Sequence, residues 1–296
     1  MVENRNRILG LALALIAVLT ASVAPVLVKV GVNENIHPIT LLMLRLWIAS
    51  AFFWVYFSIT KPAVLRITHR QFIYSSIAGA VNCTGLILYY LAIQRLDVSV
   101  ATMIFSFYPI FTVLLLALKG ERIHLNALIC IIVSLLGVYL LLQIGGGLNI
   151  LGILLILGTT FGYALHLNIV QWYLSDYSAQ TTAIYTITTM AVICTLVWLL
   201  GPRSFTPISF AGWISILGTA VISTALTRLA LFSAIRRIGS GQTSYFGPLE
   251  ILLGIFWAVV FLGEYLNPRQ WFGGFLILAS MIWLMLYKGN ISKQIT

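Results

Sequence analysis

With 296 residues, 60% of them hydrophobic and only 8% charged, the chain lies far from the roughly 25% charged composition of soluble domains. It has room for about ten spans of roughly 20 residues with short connections, and none for a sizeable soluble domain. The net charge of +10 comes from basic residues scattered over loop ends rather than gathered on one face, which excludes a nucleic-acid footprint.

Apolar stretches between charged or turn-rich breaks predict helices over 8–30, 39–60, 72–93, 98–118, 125–143, 150–173, 181–200, 213–235, 243–262 and 269–287. Backbone in lipid must be helical or form a closed barrel, and runs of this length without period-two alternation exclude the barrel. The expected fold is therefore all-α, a polytopic membrane protein of ten transmembrane helices. Arg5 and Arg7 ahead of an apolar run ending near Ala24 also fit a cleavable signal peptide. Cleavage would leave nine spans and break the repeat described next, so 8–30 is read as a retained helix. Cys83, Cys130 and Cys194 fall in three different spans, which predicts buried inert thiols and neither a disulfide framework nor a metal site.

The chain repeats itself. Ile8-Leu9-Gly10 opens the first span and Ile150-Leu151-Gly152 opens the sixth, 142 residues later. The same offset carries Ala92-Ile93-Gln94-Arg95-Leu96 onto Ala234-Ile235-Arg236-Arg237-Ile238, and Lys119-Gly120-Glu121 is answered by Gly263-Glu264 at offset 143. This predicts two five-helix repeats, 1–147 and 148–296. Five is odd, so the second repeat enters the membrane inverted. Inverted repeats are the architecture of alternating-access carriers, with a site near the midplane where the halves meet.

Loop charge sets the orientation. With the N-terminus in the cytoplasm, the inner side collects Arg5, Arg7, Lys61, Arg66, Arg70, Lys119, Arg122, Arg236, Arg237, Lys288 and Lys293, against Arg95, Arg203 and Arg269 outside. Both termini are expected to be cytoplasmic. Aromatic residues near span ends, Trp54 and Trp198 among them, read as interfacial anchors.

Ionisable groups inside spans are expensive in hydrocarbon and tend to face a cavity or a partner. Arg228 lies about eight residues, roughly 12 Å, from the cytoplasmic end of its span; Glu250 and His166 are each roughly 10 Å deep from the same side. Two readings are open: a polar site where Arg228 receives an anionic group and Glu250 or His166 titrates, or an Arg228–Glu250 ion pair that locks adjacent helices. A pair that opens to admit substrate would satisfy both. His166 alone equally fits a histidine bonded to a neighbouring group. Arg45 is close enough to the outer surface to snorkel, and Lys29 is expected to do so.

Asn82, Tyr89, Tyr90, Tyr163 and Tyr245 would complete a pocket with aromatic walls and few polar groups, suited to an amphipathic metabolite. Asn82 and Tyr89, seven apart, share one helix face. Pro109 and Pro248 are expected to bend spans four and nine. No HExxH, GxSxG, phosphate-cradling glycine loop or Cys/His metal spacing is present. The expectation is a non-enzyme without cofactor or metal, partnered by a small-molecule substrate, the lipid bilayer and a proton or counter-substrate.

These motifs in register resemble the EamA-type carriers of the drug/metabolite transporter superfamily, over essentially all ten spans. The resemblance rests on Ala92–Leu96 with Tyr108-Pro109-Ile110 and Lys119-Gly120-Glu121, and on Ala234–Ile238 with Leu249-Glu250 and Leu262-Gly263-Glu264. Gly137 and Ser280, each sixteen residues after its glutamate, complete it. The resemblance implies a basket-like bundle whose cavity is lined by spans one, three, four, six, eight and nine, with five and ten peripheral. It also implies secondary transport, often export, of metabolites such as amino acids. Ile251 stands where the family often has proline after the glutamate, and Thr20-Ala21 replaces its usual Trp-Gly; these departures bear on pocket shape and hence on substrate.

The resulting expectation is a secondary carrier in the cell (inner or plasma) membrane exporting an amphipathic metabolite. An antiporter of phosphorylated or carboxylated molecules ranks lower, because one deep arginine supplies few cations. A non-transporting membrane enzyme or sensor subunit is the reading from another class.

Overall fold

Helix starts follow familiar signals. Thr68, Asn149, Ser178 and Ser209 each accept, through a side-chain oxygen, the N–H three residues on, and Pro25, Pro38 and Pro248 occupy first turns where a missing N–H costs nothing. The computed structural model describes residues 2–117, 129, 132–133, 136–137, 139–140, 149–174, 176–201, 207–244 and 246–294. In these the helices are α1 (Val2–Ser22), α2 (Ala24–Asn33), α3 (Pro38–Thr60), α4 (His69–Ile93), α5 (Val98–Phe105) and α6 (Tyr108–Ala117). The second half holds α7 (Ile150–Tyr173), α8 (Ala179–Leu200), α9 (Phe210–Leu217), a π-helical segment (Gly218–Leu226), α10 (Thr227–Ser244), α11 (Gly247–Leu262) and α12 (Pro268–Gln294). Among the described residues there is no strand.

Among the described residues, six stretches are long and apolar enough to cross a membrane: Arg7–Asn33, Pro38–Thr60, His69–Ile93, Ile150–Val170, Ala179–Leu200 and Phe210–Leu231. Val98–Thr112 and Leu249–Leu262 are shorter apolar helices. Most of the expected fifth span lies outside the described residues. Large apolar side chains such as Val55, Leu154, Phe256 and Phe275 are exposed on the bundle's outside, the pattern that a hydrocarbon solvent demands.

Three spans are less regular than expected. Span one breaks at Val23, two residues before Pro25, whose nitrogen cannot join the hydrogen-bond ladder. Span four breaks at Ser106-Phe107, ahead of Pro109, so that proline starts a new helix instead of bending an old one. Pro248 likewise sits in the first turn of α11, while α10 runs on to Ser244, well past the expected end at 235. Hydropathy marks where a helix leaves lipid; the backbone ladder ends only where a proline or cap stops it.

The packing repeats with the sequence. A Cβ on Gly10 would lie 2.5 Å from Ile238 Cγ2 and 3.0 Å from Arg237 Cβ; one on Gly152 would lie 2.8 Å from Leu96 Cγ and 3.2 Å from Arg95 Cβ. Both contacts are the same contact, shifted by 142 residues and exchanged between halves. Accordingly α1 runs along α10 and α7 along α4, while α3 faces α8 and α5 faces α11. Gly137 packs on Gly273 and Ile277 of α12.

Hydroxyls and indoles join α3 to α8. The Trp47 indole donates to Thr195 Oγ1 (2.8 Å) and that of Trp54 to Thr188 Oγ1 (3.0 Å), pairs spaced seven residues apart on antiparallel helices. Trp198 donates to Thr40 Oγ1 (3.0 Å). Trp54 and Trp198 therefore also make interhelical bonds in the bundle. Lys29 differs from its expected snorkelling: its Nζ donates to the carbonyls of Ile93 (2.7 Å) and Leu96 (3.1 Å), capping the end of α4.

The Leu262-Gly263-Glu264 motif has a physical role. Gly263 adopts φ 65°, the left-handed turn that ends α11 without a Cβ clash. The Glu264 carboxylate then accepts the N–H groups of Val98 (2.7 Å) and Ser99 (2.8 Å), capping α5 from the other half of the chain. Asp97, at the local cap position, makes no such bond. Glu264→Ala is expected to destabilise the protein by about 0.5–2 kcal/mol, seen as a lower Tm in nanodiscs. Glu264→Gln, which keeps one acceptor oxygen, should lose less. An unchanged Tm for the alanine variant would mean the cap carries no weight.

Candidate functional site

The span-one and span-four breaks and the π-helical segment meet around one cavity of ≈ 230 Å³, at the junction of the two halves. Its volume is below the lower end, about 300 Å³, of pockets for drug-sized ligands and suits a small metabolite. Ser22 and Pro25 line it at the α1–α2 break, and Thr102, Phe105 and Tyr108 at the α5–α6 break.

The π segment sets the facing wall. Thr224 Oγ1 donates to the Thr219 carbonyl (2.9 Å) and Thr227 Oγ1 to that of Ile222 (3.1 Å), each five residues back, as a wide turn requires. A π turn inserts an extra residue and so rotates everything downstream, a device common at functional sites. Here Ser223, Thr224, Thr227 and Arg228 all reach the cavity.

Five of the seven residues expected in the site line this one chamber: Asn82 and Tyr89 from α4, Tyr163 from α7, Arg228 from α10 and Glu250 from α11. Asn82 is buried, with its amide 3.6 Å from Met190 Sδ. His166 is not among the lining residues. It is 2% exposed, with Nδ1 3.0 Å from the Ala78 carbonyl, so it ties α7 to α4. Shared depth along the membrane normal does not fix azimuth around a helix, and the imidazole is turned to the Ala78 carbonyl. Tyr245 lies outside the described residues.

Arg45 was the main omission from the expected site. It does not snorkel. Only 8% exposed, it lines the cavity, with Nε donating to Thr224 Oγ1 (2.8 Å) and a terminal nitrogen to Tyr90 Oη (3.0 Å). Tyr90, fully buried, thus positions the arginine from behind, while its neighbour Tyr89 faces the cavity. Among the described residues, Arg228 and Glu250 form no ion pair within 4.0 Å. The helix-locking reading of Arg228 and Glu250 is therefore not the observed geometry.

The chamber also carries an aromatic wall. The ring of Tyr163 is 5.2 Å from those of both Phe105 and Tyr108, and Phe105 is 5.7 Å from Tyr108. Tilted and edge-on contacts of this kind hold rings rigidly. Gly85 and Gly162 bring α4 and α7 together beside this wall: a Cβ on Gly162 would lie 3.4 Å from Gly85 Cα. The chamber thus offers a ligand both charged groups and rigid aromatic surface.

No curated protein sequence matches the chain. Among known structures, 28 chains match. One, titled only "Crystal structure of protein", aligns over 97% of this chain and 99% of its own with a TM-score of 0.68 at 16% identity, a likeness of fold alone. The profile of the EamA-like transporter family matches twice, over residues 8–143 and again over 150–286. The chain belongs to the EamA-like transporter family and is a multi-pass membrane transporter of the drug/metabolite superfamily.

Proposed function

We propose that this protein is a secondary carrier of the cell membrane, built from ten spans in two inverted five-helix halves with both termini in the cytoplasm. It works by alternating access and exports a small amphipathic metabolite. The observation that carries this reading is the cavity at a junction whose helix contacts repeat in exchanged form: Gly10 on Arg237 and Ile238, Gly152 on Arg95 and Leu96. A site between two such halves can be presented to either face by rocking one against the other. The irregular backbone at Val23, Ser106-Phe107 and Gly218–Leu226 lies where that motion would be absorbed. A proton or a counter-substrate supplies the energy.

The test is exchange in proteoliposomes. Vesicles loaded with a mixture of amino acids, nucleosides, sugars and carboxylates are presented with the same mixture labelled outside. Saturable, protein-dependent uptake of at least one compound is expected; no uptake above protein-free vesicles would remove the carrier reading.

A further inference from the structure

Resting on the carrier reading, we infer that the cavity selects a substrate of net negative charge, an organic monoanion with an apolar body. Among the described residues, the basic and acidic side chains lining the chamber are Arg45, Arg228 and Glu250, two guanidinium groups against one carboxyl group. Lys29 is turned to the carbonyls of Ile93 and Leu96, and His166 to that of Ala78. The remaining polar lining is hydroxyl and amide.

Both arginines keep donors to offer. A guanidinium carries five N–H groups in a planar fork. Arg45 gives two hydrogen bonds, both to neutral hydroxyls, and Arg228 gives none among the described residues. Two further lining groups lack partners: Ser223 Oγ and Thr102 Oγ1 are buried without a hydrogen bond, on residues 7% and 6% exposed. Buried hydroxyls without partners mark places where another molecule completes the bonding.

Charge balance decides between substrate classes. An uncompensated positive charge inside a membrane protein is costly. A zwitterion, its carboxylate on the arginines and its ammonium on Glu250, leaves that charge in place, and a cation increases it. One carboxylate offsets the excess of arginine and can accept paired bonds from an arginine fork. Its apolar body then lies on Phe105, Tyr108 and Tyr163. The loaded carrier, holding less uncompensated charge, reorients more readily than the empty one, so exchange is faster than net flux.

The test uses three probes of one shape, 3-phenylpropionate, 3-phenylpropionamide and L-phenylalanine, in proteoliposomes that pass the mixture assay above. Counterflow of the anion is expected to exceed that of the amide and of the zwitterion at least 10-fold, and Arg228→Gln should abolish the preference. Glu250→Gln, which removes the acidic group among the described lining residues, should admit the dianion phenylsuccinate while the parent excludes it. Equal or faster movement of the amide or of phenylalanine would overturn the inference and leave the carrier reading intact. So would movement of none of the three. If Arg228→Gln does not fold, the Glu250→Gln result decides alone, and an unchanged exclusion of phenylsuccinate would overturn the inference.

Discussion

Arg228→Ala is expected to lower the carrier's exchange rate by roughly 10- to 100-fold without lowering its Tm. Arg228 lines the cavity and makes no hydrogen bond to the described protein, so little of the fold rests on it. Removing it also removes the cost of burying a guanidinium. What is lost is its bond to the transported molecule: a hydrogen bond to a charged group contributes about 1.5–3 kcal/mol, and about 1.4 kcal/mol is a factor of ten. Initial exchange rates for whichever metabolite the mixture assay identifies, together with melting curves, check this. Unimpaired flux would take Arg228 out of the site; a fall in Tm with flux in proportion would make it a structural lock after all.

Arg45→Met should separate function from stability even more sharply. Methionine fills much of the same volume, and Thr224 keeps its bond to the Thr219 carbonyl. The Tyr90 hydroxyl loses its bond from Arg45, at a cost of about 1–3 kcal/mol. Against this stands relief from burying a charge that has no carboxylate partner among the described residues. Replacing buried ionic groups by apolar residues of similar size is often neutral or stabilising. The expected result is a Tm equal to or above the parent's, with exchange reduced roughly 10-fold or more by the lost charged hydrogen bond. A variant that melts several degrees lower would assign Arg45 to folding, with Tyr90 and Thr224 as its purpose.

How much of this was legible in the sequence depends on the distance over which each signal acts. The helices could be read from hydropathy, and the offset of 142 residues marked Gly10 and Gly152 as equivalent positions, though not what they pack against. Breaks at Val23 and Ser106-Phe107 were signalled by Pro25 and Pro109, although these were read as a plain span and a bend. The π segment had no local signal: Gly218–Leu226 is ordinary apolar sequence, and its wide turns depend on threonine side chains and packing.

Depth along each span brought Arg228 and Glu250 to one cavity, but it says nothing of which way a side chain points around the helix axis, and His166, at the same depth, is not among the lining residues and bonds Ala78. Arg45 was missed since its partners, Tyr90 and Thr224, lie 45 and 179 residues away. An arginine near the start of a span looks the same whether it snorkels outward or turns in. The cap formed by Glu264 on α5 was likewise invisible as a role, though the motif containing it was visible as a repeat.

The central claim is that the two halves stand in opposite orientations about a shared chamber, and paired labelling at related positions tests it most directly. In a chain lacking Cys83, Cys130 and Cys194, single cysteines are placed at Arg95 and Arg237, the positions that pack on Gly152 and Gly10. Intact cells are treated with a membrane-impermeant maleimide, and inverted membranes with the same reagent. Opposed halves require the cysteine at 95 to react only from outside and that at 237 only from inside. Reaction of both from one face would mean the halves run parallel, and the rocking carrier built on their opposition would be contradicted.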